Sequence, residues 1–215
     1  NAWSNNLKIT RVANCSKNGG LVQAKQSPVV TNNSSDPWVG SIINGGSGID
    51  TIRGLAGMDI LQGNSGNDLI HGGNGRDIIS GGPGADELHG DFGWNTFRSE
   101  KDGEKDLIVI KSDEHLSNWL YGKSGNNPNG EKADIIEGLD SIDEIKILGV
   151  FTSEISYANT TAKGVTGIGI YANTSLEALY TGADLSMEQI HGMTSGDPLV
   201  KWSYTSNQLT PDLLT

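Results

Sequence analysis

Through the middle of the chain a large apolar residue returns at every ninth position: Ile52, Leu61, Ile70, Ile79, Leu88 and Phe97, with Ile43 in phase just before them. Each sits inside an x-apolar-x triplet, which predicts a very short strand with one side chain facing inward. The rest of each unit is just as regular. The blocks are GGSGIDTIR (45–53), GLAGMDILQ (54–62), GNSGNDLIH (63–71), GGNGRDIIS (72–80), GGPGADELH (81–89) and GDFGWNTFR (90–98). The first place is glycine in all six (Gly45, Gly54, Gly63, Gly72, Gly81, Gly90), and so is the fourth (Gly48, Gly57, Gly66, Gly75, Gly84, Gly93). Glycine reaches backbone conformations closed to other residues, so these places turn the chain tightly and leave carbonyl oxygens uncovered. The sixth place is Asp50, Asp59, Asp68, Asp77 and Asp86, then Asn95. Six gapless copies predict a stacked repeat architecture. A flexible glycine linker would not keep a branched or aromatic residue at every ninth place.

Strands in a sheet lie about 4.8 Å apart, so stacking the units stacks their sixth-place carboxylates in a row on the same pitch. Carboxylates that close repel one another unless a cation sits between them. Carboxylate and carbonyl oxygens are hard ligands, and oxygen-only sites with room for six or more ligands suit Ca2+. The sequence shows no thiolate or imidazole cluster that would compete for a softer metal.

This pattern resembles the repeats-in-toxin (RTX) nonapeptide, GGxGxDxUx with U large and apolar. The resemblance is close over residues 45–98 and looser beyond. It implies an all-β fold: a right-handed parallel β-roll with two nonapeptides per coil, followed by a β-rich capping segment with short helices. It also implies calcium in the turns between repeat n and repeat n+2. On this chain Asp50 would then pair with Asp68, Asp59 with Asp77, Asp68 with Asp86, and Asp77 with Asn95. In the family, backbone carbonyls complete each site. The resemblance implies those of Gly46, Gly48, Gly63 and Ser65 for the first site, and Leu55, Gly57, Gly72 and Asn74 for the second. For the third it implies Asn64, Gly66, Gly81 and Pro83, and for the fourth Gly73, Gly75, Gly90 and Phe92. Asn95 removes a charge from the fourth site, which should be weaker. Residues 36–44, DPWVGSIIN, keep the apolar phase but lack the glycines and the aspartate. They read as a degenerate capping turn with Ser41 at the ligand position. The expected load is about three to five calcium ions.

The expected organisation has four parts. Residues 1–44 form an upstream β segment and the degenerate turn, with strand-like runs at 7–13 and 20–30. Residues 45–98 form the calcium-binding roll, 99–192 a β-rich capping segment, and 193–215 a C-terminal tail. The stretch ADIIEGLDSIDEIKILG (133–149) resembles an element that follows these repeats in secreted relatives, carried by Asp134, Ile136, Leu139, Asp140, Asp143, Ile145 and Ile147. GVTGIGIYA (164–172) reads as a strand. Ser186 with Gln189 three residues on is a capping-box signal for a short helix. Leu116, Trp119 and Leu120 fall on one face of a further helical turn. Asp140, Asp143 and Glu144 read as solvated turn and strand-end groups. His115 and His191 read as surface or packing residues, and His71 and His89 as residues of an outward face.

Composition narrows the function. The formal net charge is −11 over 215 residues, which disfavours nucleic acid and anionic membrane as partners and favours cations. The charge is uneven: +3 over residues 1–44, −4 over 45–98 and −10 over 99–215. Fifteen of the 30 glycines fall within 45–98. No apolar run approaches the roughly 20 residues of a helical membrane span. The single cysteine, Cys15, excludes an internal disulfide framework. There is no HExxH zinc motif and no GxSxG nucleophile elbow, so no enzyme is expected within these residues.

One large apolar residue per nine makes a thin core. Ordering the backbone should therefore depend on the bound ion. The first functional reading is a non-catalytic calcium-binding module of a secreted bacterial protein, folding outside the cell and supporting type I export. The export route comes from the resemblance, which is to the C-terminal region of serralysin-type proteins. A second reading is a calcium-rigidified adhesion module that binds polysaccharide, a cell surface or like subunits. A third is an accessory domain of a secreted hydrolase or alginate-modifying enzyme.

Overall fold

The computed structural model describes residues 29–31, 40–99, 101–112, 132–198, 200–205 and 208–213. Cys15, His115 and the helical turn expected around Leu116–Leu120 lie outside them. Each x-apolar-x triplet is a strand or the start of one. They are β3 (Thr51–Arg53), β5 (Ile60–Ser65), β6 (Leu69–His71), β8 (Ile78–Ser80), β9 (Glu87–His89) and β11 (Thr96–Arg98). Upstream lie β1 (Val29–Thr31) and β2 (Ile42–Ser47). Three two-residue strands occupy alternate turns: β4 (Ala56–Gly57), β7 (Asn74–Gly75) and β10 (Phe92–Gly93). Downstream come β12 (Leu107–Lys111), β13 (Asp134–Glu137), β14 (Glu144–Leu148), β15 (Ile155–Ala162), β16 (Val165–Ala172) and β17 (Ser175–Tyr180). The helix α1 (Met187–Met193), β18 (Thr194–Asp197), β19 (Val200–Thr205) and β20 (Gln208–Leu213) complete the order.

Successive triplets alternate between two parallel sheets. One sheet runs β1-β3-β6-β9-β12-β14-β18. The other runs β2-β5-β8-β11-β13-β17 and then turns antiparallel through β16 and β15. Ile52 lies opposite Ile70, and Ile70 opposite Leu88, so one coil spans two nonapeptides. This is a parallel β-roll. The parallel pairing continues past the last glycine repeat: Leu88 faces Ile108, Ile108 faces Ile145, and Phe97 faces Ile136. The strands β19 and β20 form their own antiparallel pair.

The two sheets bury their apolar rows against each other. Ile52, Leu61, Ile70, Ile79, Leu88 and Phe97 are all fully buried and belong to one core cluster, which continues through Ile108, Ile136, Ile145, Ile147 and Ile170. Each buried branched or aromatic side chain of this kind is worth roughly 1.5–3 kcal/mol. The hairpin β15–β16 closes one end of the second sheet. The capping box at α1 is formed, with Gln189 N–H donating to Ser186 Oγ at 3.3 Å and Ser186 N–H donating to Gln189 Oε1 at 2.9 Å. Among the described residues no helix is long and apolar enough to cross a membrane.

Glycine is required at the fourth place for a steric reason. The Cα of Gly66 rests on the carbonyl of Gly48, and the same stacking recurs for Gly84 on Gly66, Gly75 on Gly57 and Gly93 on Gly75; any Cβ would collide with that carbonyl. The second place carries a different demand. Its φ is positive in all six repeats: Gly46 118°, Leu55 76°, Asn64 75°, Gly73 100°, Gly82 99° and Asp91 58°. Glycine, asparagine and aspartate tolerate this region, whereas leucine is strained there.

Candidate metal centre

The sixth-place side chains form two ladders, one on each side of the roll. From Asp59 onward, the side-chain Oδ1 of each sixth-place residue accepts a hydrogen bond from the backbone N–H of the sixth-place residue one coil earlier. Asp50 N–H donates to Asp68 at 2.7 Å and Asp68 N–H to Asp86 at 2.8 Å. On the other side Ser41 N–H donates to Asp59 at 2.6 Å, Asp59 N–H to Asp77 at 2.8 Å, and Asp77 N–H to Asn95 Oδ1 at 3.0 Å. The expected pairs are therefore neighbouring rungs, and Ser41 holds the rung of the degenerate turn.

The second oxygens differ. Oδ2 of Asp50, Asp59, Asp68, Asp77 and Asp86 is buried and has no hydrogen-bond partner among the described residues. Asn95 shows what such an atom faces: its Nδ2 donates to the carbonyl of Gly90, at the first place of its own repeat, at 2.9 Å. A carboxylate in that pose puts oxygen against oxygen unless a positive charge intervenes. The first-place glycines crowd the same atoms. A Cβ on Gly45 or Gly54 would lie 2.5 Å from Oδ2 of Asp50 or Asp59. Burial pushes these carboxyls up. Asp59 rises to about 7 despite the hydrogen bond from Ser41. Asp77 rises to about 8, with the charges of Asp59 and Asp91 adding to burial. Asp86 rises to about 7 for the same mix of burial and neighbouring carboxylates.

The carbonyls around these rungs fall into two groups. Those of Gly63, Gly72, Gly81 and Gly90 lie close to the first-place glycine one coil earlier. In the odd-numbered turns Ser65 and Pro83 carbonyls accept from Gly48 and Gly66 N–H at 2.7 and 2.9 Å. In the even-numbered turns the direction reverses, and Leu55 and Gly73 carbonyls accept from Asn74 and Phe92 N–H at 2.6 and 2.8 Å. These turn hydrogen bonds draw alternate turns together; β4, β7 and β10 are the strands they make.

The ladders run beyond the glycine repeats, which the sequence pattern did not reveal. Asp86 N–H donates to Asp106 Oδ1 at 2.9 Å, Asp106 N–H to Asp143 Oδ1 at 3.0 Å, and Asn95 N–H to Asp134 Oδ1 at 2.6 Å. Asp143 was expected to be a solvated turn group; it is 2% exposed, because the 37-residue excursion returns the chain to the next rung. Glu144 is exposed as expected, paired with Lys105 at 2.7 Å, and Asp140 accepts from Gly103 N–H at 2.8 Å. In the Asp106 and Asp143 rungs the second oxygen is satisfied by the protein. Ser99 Oγ donates to Asp106 Oδ2 at 2.7 Å, and Asp140 N–H donates to Asp143 Oδ2 at 2.6 Å. The demand for an outside positive charge stops where the glycine repeats stop.

A second expectation also needs correcting. His71 and His89 do form an imidazole cluster. Identical places two repeats apart become neighbours across β6 and β9, and the two rings stack with centroids 4.3 Å apart. His191 is exposed, with its ring 5.1 Å from that of Tyr157.

Fold and carboxylate rows together define a calcium-binding repeat protein wound as a β-roll. Residues 44–79 and 71–101 match the family model described as the RTX calcium-binding nonapeptide repeat (4 copies), so the roll segment carries that repeat. The repeat itself is a non-catalytic calcium-binding unit. The chain is also similar to the solution structure of the AlgE6R3 subunit from the Azotobacter vinelandii mannuronan C5-epimerase. The identity is 24%, the match covers 78% of this chain and 80% of that one, and the TM-score is 0.38. No curated protein matches the sequence.

Proposed function

We propose that this chain is a non-catalytic module of a secreted bacterial protein that winds up on meeting calcium outside the cell and supports type I export of its parent. One observation carries the reading: five buried carboxylate oxygens, one in each of the first five repeats, lack a partner among the described residues. The residues that would hold the ions are the paired rungs Asp50/Asp68, Asp59/Asp77 and Asp68/Asp86. The carbonyls would be those of Gly46, Gly48, Gly63 and Ser65, of Leu55, Gly57, Gly72 and Asn74, and of Asn64, Gly66, Gly81 and Pro83. The set is oxygen only, which fits a hard cation. Bound calcium supplies positive charge between the carboxylates and so stabilises the folded chain by mass action. Extracellular calcium modules bind with dissociation constants of about 10⁻⁴–10⁻³ M, so such sites stay empty in cytosol and fill outside. Ser65 and Pro83 carbonyls would keep their turn hydrogen bonds while offering a second lone pair.

The test is far-UV circular dichroism and isothermal titration at pH 8, in chelator and then in millimolar calcium. The expected result is loss of strand signal in chelator and its return with calcium, with several ions bound. A fully wound chain after exhaustive metal stripping, or no heat of calcium binding, would defeat the reading.

One observation favours a polysaccharide-binding role beside this one. Trp94 is 39% exposed, with the Arg76 guanidinium 5.7 Å and the Lys163 ammonium 5.3 Å from its ring centroid. An exposed aromatic face flanked by two cations suits an acidic sugar polymer. Affinity electrophoresis in calcium, with Trp94→Ala as control, separates the two roles: unaltered mobility in anionic polysaccharide would remove this one.

A further inference from the structure

A different kind of cluster lies beside one carboxylate ladder, with Asp91 near enough for its charge to act on Asp77. His71 and His89 hold the ninth place of repeats two apart and are direct partners in the β6–β9 register. Asp91 follows in the next turn with a left-handed backbone, φ 58°, and its Oδ2 lies 3.3 Å from Nδ1 of His71. One ligand atom from each of the three lies within 4.8 Å of the other two. The side chains are mostly covered yet reachable, 23% exposed for His71, 19% for His89 and 24% for Asp91. On the other side of His89, Nε2 lies 2.7 Å from Oε1 of Glu87.

We propose that His71, His89 and Asp91 form a binding site for a zinc-class divalent transition ion, separate from the oxygen-only turns. Two imidazoles and a carboxylate are a borderline donor set that calcium, a hard cation, does not favour. One pair already stands at the spacing an ion needs, and the stacked ring of His89 has to turn toward it to complete the set. Tetrahedral ligands at 2.0–2.1 Å from zinc stand about 3.3 Å from one another, which is the present His71–Asp91 separation. Glu87 supplies the outer carboxylate that a ligating histidine uses to fix its tautomer, leaving Nδ1 of His89 for the ion. Lys111 is the neighbouring cation; its ammonium lies 3.0 Å over the Phe92 ring centroid, and an incoming ion shares this region with it. The three ligands come from two adjacent coils and the turn that follows the second of them. A bound ion therefore staples β6, β9 and the entry to β10 together without calling on any carboxylate of the ladders.

The experiment uses the full chain in saturating calcium, titrated with zinc by calorimetry and with Co2+ by visible absorption. One zinc ion should bind, raise the melting temperature with calcium held constant, and be mimicked by Co2+ with d–d bands of a nitrogen-ligated site. His71→Ala and His89→Ala should each weaken zinc binding about tenfold or more, and Glu87→Gln should weaken it less. Calcium-driven folding of these variants, followed by circular dichroism, should be unchanged. Should a variant fail to fold, the ring resonances of His71 and His89 in the unaltered protein must shift on zinc addition. Zinc binding no tighter than millimolar, binding retained in the His71→Ala/His89→Ala double variant, or displacement of the ion by excess calcium would each overturn the proposal.

Discussion

Asn95 is a natural experiment inside the ladder, and repeating it at Asp77 tests why the roll needs a cation. Asp77 is fully buried, and burial holds its carboxyl near 8 against an ordinary 3.8. At pH 7.5 that difference weighs on the order of 5 kcal/mol against the metal-free fold. Asp77→Asn keeps the acceptor for Asp59 N–H, now 2.8 Å away, and turns an amide N–H toward the carbonyl of Gly72, as Asn95 does toward Gly90. The change should recover most of the penalty, about 3–5 kcal/mol, which is more than a hundredfold in the folded-to-unfolded ratio. Asp77→Ala removes the same charge but leaves Asp59 N–H without its acceptor, so it should lag the Asn variant by about 2 kcal/mol. The assay is strand signal against urea in chelator, with calcium counted by calorimetry. Asp77→Asn should wind better without metal and bind fewer ions. If it is no more folded in chelator than the unaltered chain, and binds as many ions, the unpaired oxygens are not the origin of the cation requirement.

Other outcomes follow from the same geometry. Asn95→Asp recreates an oxygen facing the Gly90 carbonyl, so it should add calcium capacity and make the metal-free roll less stable; unchanged calorimetric stoichiometry would exclude a site in that turn. Asp68→Ala should raise the calcium midpoint more than Asp50→Ala, because Asp68 is a rung between two coils, and equal midpoints would contradict the coil pairing. Leu55→Gly should stabilise the calcium-loaded roll by roughly 1 kcal/mol in thermal or urea unfolding, since leucine is strained at φ 76°. In chelator the strand signal should be stronger at pH 5 than at pH 8.5. Asp59, Asp77 and Asp86 are raised to about 7, 8 and 7 in the fold, so their contribution is complete below about 4 and is lost as pH climbs through 7–8. A pH-independent signal would show that these groups are not protonated in the metal-free state.

Much of this was legible because a strict period leaves little freedom. Nine-residue spacing of Ile52 through Phe97 fixed the inward face, and the aspartates in phase with it had to stack. The left-handed second place was readable from Gly46, Asn64, Gly73, Gly82 and Asp91, but Leu55 concealed it. What escaped was whatever broke the period. Asp106, Asp134 and Asp143 join the ladders at separations of 20, 39 and 37 residues rather than 18, and no periodic reading reaches across such excursions. The His71–His89 pair was within reach, because equal places two repeats apart must meet. Asp91 was not, since its placement depends on a turn conformation.

The direction of the ladder hydrogen bonds has a consequence for synthesis and transport. Every rung is fastened by a side chain that lies later in the chain than the N–H it grips. A polypeptide that emerges amino end first therefore always has one loose winding at its leading edge of growth, however much calcium surrounds it. Only when Asp134 and Asp143 arrive, tens of residues after the last glycine repeat, are the final windings latched; a chain cut short before them would remain open at one end.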